Sequence, residues 1–291
     1  MKKQRYIQKI TLFCLLMFFF LVLSLSFSIT TQAASSIWIK QGNTSEKVVA
    51  LTFDDGSDGT NFNRILDILA KHKIKATFFL SGQGAENHPS VVQKMGSHGH
   101  DIGNHSYSHP HFPQLTTVQM QSQLSRTEKI VKQITGRSTK PYFRAPYGET
   151  NAQILRAVGD AGYSYTFHWS IDTMDWQGHS ASYVSNRVIS NIHPGVIVLT
   201  HTGNGASGTP AALETIILNL KSKGYKFVTI SQLMKLPSQP VPSTGTRHTV
   251  RAGDTLYAIA RRYKITVAKL AAANNITNIN LINVGQVLAI R

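Results

Sequence analysis

Thr52-Phe53-Asp54-Asp55-Gly56 is the stretch on which the fold turns. Residues 48–51 in front of it are apolar or small, so the run reads as a buried strand ending in a sharp turn at Gly56. Two adjacent carboxylates stand where that strand stops. Unpaired buried charge is expensive. Asp54 and Asp55 therefore require a metal, a cationic side chain or a water-filled cleft, unless they form only a solvated Asp-Asp-Gly turn. What other strands carry at their ends decides between these.

Six more apolar segments follow, over residues 76–80, 101–104, 141–144, 164–169, 195–200 and 226–230. Helical patterns lie between them. Phe62, Ile65, Leu66 and Leu69 share a helix face, and residues 118–134 predict a long polar helix. Ile154, Leu155 and Val158 predict a short helix stopped by Gly159 and Gly162. Pro210 opens a helix carrying Leu213, Ile216, Ile217 and Leu220, and Gly224 closes it. Such alternation predicts an α/β fold, a parallel sheet with crossover helices. Seven or eight units predict a closed or nearly closed barrel, whose chemistry sits at the carboxyl ends of the strands. Polar groups do stand at those predicted ends: Asp54 and Asp55, His105 and His109, Arg144, Asp172 and Asp175, and His201.

The two ends of the chain read differently. Lys2, Lys3, Arg5 and Lys9 precede an apolar run over residues 10–29, and Thr31-Gln32-Ala33-Ala34 supplies small residues for cleavage. Residues 1–33 are read as a secretory signal peptide cut after Ala33 or Ala34. An uncleaved segment of this length would instead anchor the chain in a membrane. The single cysteine, Cys14, lies inside the run and not at its end, which argues against lipidation and leaves the exported chain without a disulfide. Residues 1–33 hold four cations and no acid, so +12 of the formal +16 charge belongs to the remainder. Excess positive charge on an exported protein points to an anionic cell wall and away from nucleic acid.

Residues 34–236 form the predicted catalytic domain, and residues 237–246, with three prolines and no charge, a linker. Ten such residues span roughly 20–30 Å. Residues 247–291 carry seven Lys and Arg against one Asp and read as strand, helix, helix, strand. Gly253-Asp254-Thr255 makes a turn and cap; Leu256, Ile259, Ala260 and Tyr263 face one way; Thr266 caps a second helix.

His105 and His109, four residues apart, can converge on one ion, and Asp55 adds an oxygen. Two imidazoles and a carboxylate leave positions open, as a catalytic metal requires. Asp54 is expected to diverge from Asp55 along the strand and to act as general base on water, with Arg144 holding it ionised. His201 is positioned to give a proton to a leaving group, its pKa raised from about 6.5 by Asp175. The backbone N–H of Tyr147 is placed to meet an oxyanion. Together these groups describe hydrolysis of an amide or ester. The remaining histidines, His111, His168 and His248 among them, have no partner that the sequence names.

Thr52-Phe53-Asp54-Asp55-Gly56, His105-Ser106-Tyr107-Ser108-His109, Arg144-Ala145-Pro146-Tyr147-Gly148, Asp172-Thr173-Met174-Asp175-Trp176 and Leu199-Thr200-His201 resemble, in order, the five motifs of the polysaccharide deacetylases, the family-four carbohydrate esterases. The resemblance implies a deformed (β/α) barrel. It implies zinc, or cobalt, on Asp55, His105 and His109, with Asp54 as base, His201 as acid, Arg144 orienting Asp54 and Asp175 tuning His201. Trp176 and Leu199 would line the acetyl pocket, and Pro146 would join them as a substrate contact. Members acting on muramic acid often carry Asn where this chain has Asp55, which tilts the reading towards N-acetylglucosamine.

The tail resembles a LysM module. That likeness implies binding of peptidoglycan or chitin-like glycan through Gly253, Asp254, Thr255, Leu256, Asn275 and Ile276; His248 departs from the Tyr common at its position. The functions left open are a metal-dependent peptidoglycan N-acetylglucosamine deacetylase, a deacetylase of chitin oligomers, xylan or muramic acid residues, and a wall-binding protein with a silent barrel. The expected protein is a secreted, wall-associated monomer.

Overall fold

In the computed structural model, residues 34–235 and 246–290 are described, apart from 275, 277 and 280. The expected signal segment, nearly all of the linker, and Asn275 lie outside the described residues. The first unit comprises β1 (Ile37–Ile39), β2 (Val48–Asp55), α1 (Gly59–Lys71), β3 (Thr77–Leu80), α2 (Gly82–Asn87), α3 (Pro89–Ser97), β4 (Asp101–Asn104), α4 (Thr117–Thr135), β5 (Tyr142–Phe143), α5 (Ala152–Asp160), β6 (Tyr165–Phe167), β7 (Ile171–Asp172), α6 (Ala181–Asn191), β8 (Val196–His201), α7 (Thr209–Ser222), β9 (Lys226–Phe227) and α8 (Ile230–Leu233).

The strands pair in the order β1-β6-β5-β4-β3-β2-β8-β7, with β9 beside the start of β2, and every pairing is parallel. Among the described residues no pairing joins β1 to β7. The sheet therefore curls into a deformed β/α half-barrel and does not close. β2 sits centrally and is buried from Val48 through Asp54, as a parallel strand covered on both faces must be. Outside it, Phe62, Ile65, Leu66 and Leu69 of α1 are fully buried against Phe53 and Phe78. Each such side chain contributes about 1.5–3 kcal/mol through burial. Inside, Ala50, Phe79, Phe167 and Ile197 pack with Ile230 and Leu233 of α8. The Ile230 N–H donates to Thr77 Oγ1 and Ser231 to Asp101, so α8 sits at the amino ends of β3 and β4. The carboxyl ends remain as the open mouth.

Residues 226–230 were expected to be one strand. The strand stops at Phe227, because Thr229 and Gln232 form a reciprocal capping box that starts α8.

The tail unit has β10 (Arg247–Thr249) antiparallel to β11 (Val287–Ala289), with α9 (Leu256–Arg262) and α10 (Val267–Ala273) between them. Its core is Val250, Leu256, Ile259, Ala260, Leu270, Ala271 and Leu288. His248 is buried there, bonded to Asp254 at 2.7 Å and to the Tyr263 hydroxyl at 3.1 Å. Among the described residues no helix is long and apolar enough to cross a membrane.

Candidate active site

The end of β2 is pinned before it turns. The Asp54 carbonyl accepts from Thr202 N–H at 3.1 Å and Thr202 Oγ1 at 3.0 Å; the Asp55 carbonyl accepts from Ser81 N–H at 3.0 Å and Ser81 Oγ at 2.8 Å. Asp55 then takes φ +81° and Gly56 φ +77°. A left-handed aspartate costs about 1 kcal/mol, which these bonds offset. The break in alternation corrects the expected divergence of the two carboxylates. Asp54 Oδ2 lies 3.6 Å from His105 Nε2, and Asp55 Oδ1 lies 3.8 Å from the same atom.

The loop after β4 brings the histidines to Asp55. Gln123 of α4 reaches over with Oε1 to accept from the N–H groups of Tyr107, at 2.8 Å, and Ser108, at 2.9 Å. His109, with φ +56°, donates its N–H to Ser106 Oγ. His105 Nδ1 donates to the Arg144 carbonyl at 2.8 Å, which leaves Nε2 as the atom available to a metal. His109 Nε2 lies 4.0 Å from Asp55 Oδ1. Burial, with repulsion from His105, pushes His109 down to about 4 against the opposing pull of Asp55 and Asp54, so its imidazole is neutral near pH 7. One ligand atom from each of Asp55, His105 and His109 falls within 4.8 Å of the others. Two imidazoles and a carboxylate in this arrangement fit a divalent metal of the zinc type.

Behind Asp54 stands Arg144, which is completely buried. Its Nη1 donates to Asp54 Oδ1 at 2.7 Å and to Thr52 Oγ1 at 2.8 Å, and Nη2 donates to the His168 carbonyl at 3.1 Å. The guanidinium lies 4.2 Å over the Phe79 ring. On β8, His201 Nδ1 donates to Asp175 Oδ1 at 2.8 Å, while the His201 N–H and the Thr209 hydroxyl donate to Asp175 Oδ2. Burial lowers the affinity of His201 for a proton. The hydrogen bond and charge of Asp175, then the charges of Asp54 and Asp55, outweigh it and lift the imidazole to about 9. A carboxylate able to accept a proton and an imidazolium able to give one thus share a single cleft.

That cleft, of about 700 Å³, is lined by Asp54, Asp55, His105, His109, Tyr147, Trp176, Leu199 and His201. Arg144 and Asp175 sit behind the lining, bonded to Asp54 and His201. Among the described residues no acceptor meets the Tyr147 N–H. Pro146 is buried and is not part of the lining; its ring sets the start of the turn that carries Tyr147. Ser57, Gln83, Trp169 and Asp172 line the cleft although the sequence reading gave them no substrate role. Asp172 stood within a motif and at a predicted strand end, so a signal for it existed.

The tail departs further from expectation. Leu256 is a core residue, 1% exposed, so its side chain cannot reach a glycan. Asp254 is committed to His248 and the Arg251 N–H, and Thr255 caps α9 through the Ala258 N–H. Ile276 packs against the core, while Gly253 is exposed with φ +86°.

Fold and site together define a hydrolytic enzyme on a deformed β/α barrel. A family model for polysaccharide deacetylase matches residues 41–166, and one for the LysM domain matches residues 248–291. A peptidoglycan-N-acetylglucosamine deacetylase of Bacillus cereus is 40% identical over 189 residues, 64% of this chain and 68% of that protein. The peptidoglycan-N-acetylmuramic acid deacetylase PdaA of Bacillus subtilis is 35% identical over 205 residues, 69% of this chain and 77% of that protein. A crystal structure of a peptidoglycan N-acetylglucosamine deacetylase, in complex with a naphthalenyl N-oxidanyl-benzamide, superposes with a TM-score of 0.65 at 37% identity, covering 69% of this chain and 94% of that one. The chain belongs to the polysaccharide deacetylase family and carries a LysM domain at its C-terminal end.

Proposed function

We propose that this protein removes N-acetyl groups from N-acetylglucosamine residues of cell-wall peptidoglycan, with a divalent metal held by Asp55, His105 and His109. One observation carries the reading: the Arg144–Asp54 and Asp175–His201 pairs, each hydrogen-bonded, open onto the same cleft as the metal-ligand trio. When bound, a zinc-type ion polarises the amide carbonyl and acidifies water. Asp54, fixed by Arg144, takes a proton from the attacking water. The Tyr147 N–H faces the developing oxyanion. His201, protonated and fixed by Asp175, gives its proton to the departing amine. Trp176 and Leu199 enclose the acetyl methyl. Residues 1–33 act as the export signal, residues 34–236 as the catalytic domain, residues 237–246 as a tether and residues 247–291 as the glycan-holding module. The protein works outside the cell as a monomer on the wall.

The relative in Bacillus subtilis supports muramic acid as the second substrate reading. Acetate release from purified peptidoglycan, N-acetylglucosamine oligomers and xylan tests the proposal. Release from peptidoglycan and the oligomers is expected. Release from xylan alone would refute the substrate, and no release by the metal-loaded chain would favour a silent barrel.

A further inference from the structure

The sequence assigns no partner to His111 and no role to Glu149. The structure sets both beside Tyr147. The His111 ring stacks on the Tyr147 ring with centroids 4.0 Å apart and planes 10° off parallel. The same Tyr147 ring meets His109 at 4.5 Å and 71°. His111 Nδ1 donates to Glu149 Oε1 at 3.0 Å. Glu149 Oε2 is buried without a hydrogen-bond partner, so His111 is what holds that carboxylate in place. The tie joins two loops. His111 lies just beyond the histidines that follow β4, and Glu149 directly follows the β5 turn that carries Tyr147.

Tyr147 needs such a tie. It is a bulky residue at φ +57°, ψ +7°, and it is 55% exposed. Side chains persist in that region only where their surroundings over-determine them. The turn itself provides Gly148 N–H to Ala145 O at 3.0 Å and Glu149 N–H to Pro146 O at 3.2 Å. Those bonds shape the turn, but they do not hold the ring. The stack and the His111–Glu149 hydrogen bond do.

We propose that His111 and Glu149 are positioning residues for the deacetylation, clamping Tyr147 so that its N–H, which meets no acceptor among the described residues, keeps one position at the cleft wall. Neither residue lines the cleft, so both act through Tyr147. The inference rests on the proposed function for its kinetics, and on a second readout for its structure.

The test uses the full metal-loaded chain, an N-acetylglucosamine tetramer as substrate, and metal content and Tm measured alongside. His111→Ala is expected to lower kcat ten- to hundredfold, because displacing a transition-state donor by about 1 Å costs on the order of 10²-fold. KM stays within about twofold and metal content is unchanged. His111→Phe keeps a stacking ring and recovers kcat to within about fivefold of wild type; Glu149→Gln keeps an acceptor for Nδ1–H and stays closer still. Unchanged kcat in His111→Ala overturns the proposal. So does a raised KM at constant kcat, which would make His111 a sugar platform, and so does a loss that accompanies metal loss. If His111→Ala does not fold, Glu149→Ala carries the same test, with reduced kcat at constant KM expected and unchanged kcat refuting. Independently of turnover, the Tyr147 amide resonance should be sharp in wild type and exchange-broadened in His111→Ala. Should wild type release no acetate, the functional reading fails, and the amide resonance still decides on the clamp.

Discussion

Asp175→Asn exposes the machinery around His201. The imidazole stands at about 9, some 2.5 units above its ordinary 6.5, and each unit corresponds to about 1.4 kcal/mol. About 3 kcal/mol therefore favours the protonated form, with Asp175 the leading contributor against burial. Asn removes the charge and turns an NH₂ towards donors: His201 Nδ1–H, two backbone N–H groups and the Thr209 hydroxyl now meet one oxygen. His201 must be protonated to protonate the leaving amine, so activity falls as pH rises through its pKa. In Asp175→Asn that alkaline limb should move at least about one unit to lower pH, which lowers kcat at pH 8 about twofold or more. A cation on Asp55 cancels that carboxylate's share of the rise, so the comparison is between limbs measured with equal metal content. The stability linkage has the same origin. His201 is raised, so its contribution is full below pH 6.5 and is lost as pH rises through about 9. Asp175 is burdened by burial but held low on balance by its bonds to His201, so its contribution is lost as pH falls through its depressed pKa. The assay is kcat against pH for acetate release. An unmoved alkaline limb in a folded, metal-loaded Asp175→Asn would refute the role given to the pair.

Chelation should abolish acetate release, zinc or cobalt should restore it, and Asp55→Ala should not recover; full activity of Asp55→Ala after exhaustive chelation would exclude the trio as the metal site. His100 accepts from the Ala76 N–H and is pushed down to about 4, by burial first and then by Lys75, His98 and Arg137. The unfolded chain then binds more protons between pH 6.5 and 4, so about 3 kcal/mol of stability should disappear as pH falls across that window. His100→Asn keeps an acceptor near the Nδ1 position and should flatten the slope of Tm against pH there; an unchanged slope would place the acid sensitivity elsewhere. Cutting the chain near Pro240 should leave the rate on a soluble tetramer intact and lower it on intact sacculi, because tethering acts through effective concentration; equal loss on both would mean that the tail supports the barrel.

The sequence made the chemistry legible more fully than the scaffold around it. The long elements were readable because their apolar spacing is strong: Phe62, Ile65, Leu66 and Leu69 mark α1, and the run ending at Asp55 marks β2. β1 and β7, of three and two residues, are too short to show a period, and α2 holds two glycines in six residues. α6 buries little apolar surface beyond Val184 and Val188. The convergence of Asp54 and Asp55 on His105 was hidden because it depends on φ at Asp55, which no side-chain pattern reports. In the tail, Asp254 and Leu256 looked like loop contacts by position, yet one pairs with His248 and the other fills the core. Long-range pairs such as His111–Glu149 had no local signal at all.

Mass spectrometry of muropeptides after treatment of purified peptidoglycan with metal-loaded enzyme, alongside Asp54→Asn loaded to the same metal content, gives the most direct answer. Wild type should strip the acetyl group from N-acetylglucosamine, and Asp54→Asn should do so at least about 10²-fold more slowly, as removal of a positioned general base requires. Acetyl loss confined to muramic acid would contradict the substrate, and Asp54→Asn as fast as wild type at equal metal content would contradict the base assigned to this site.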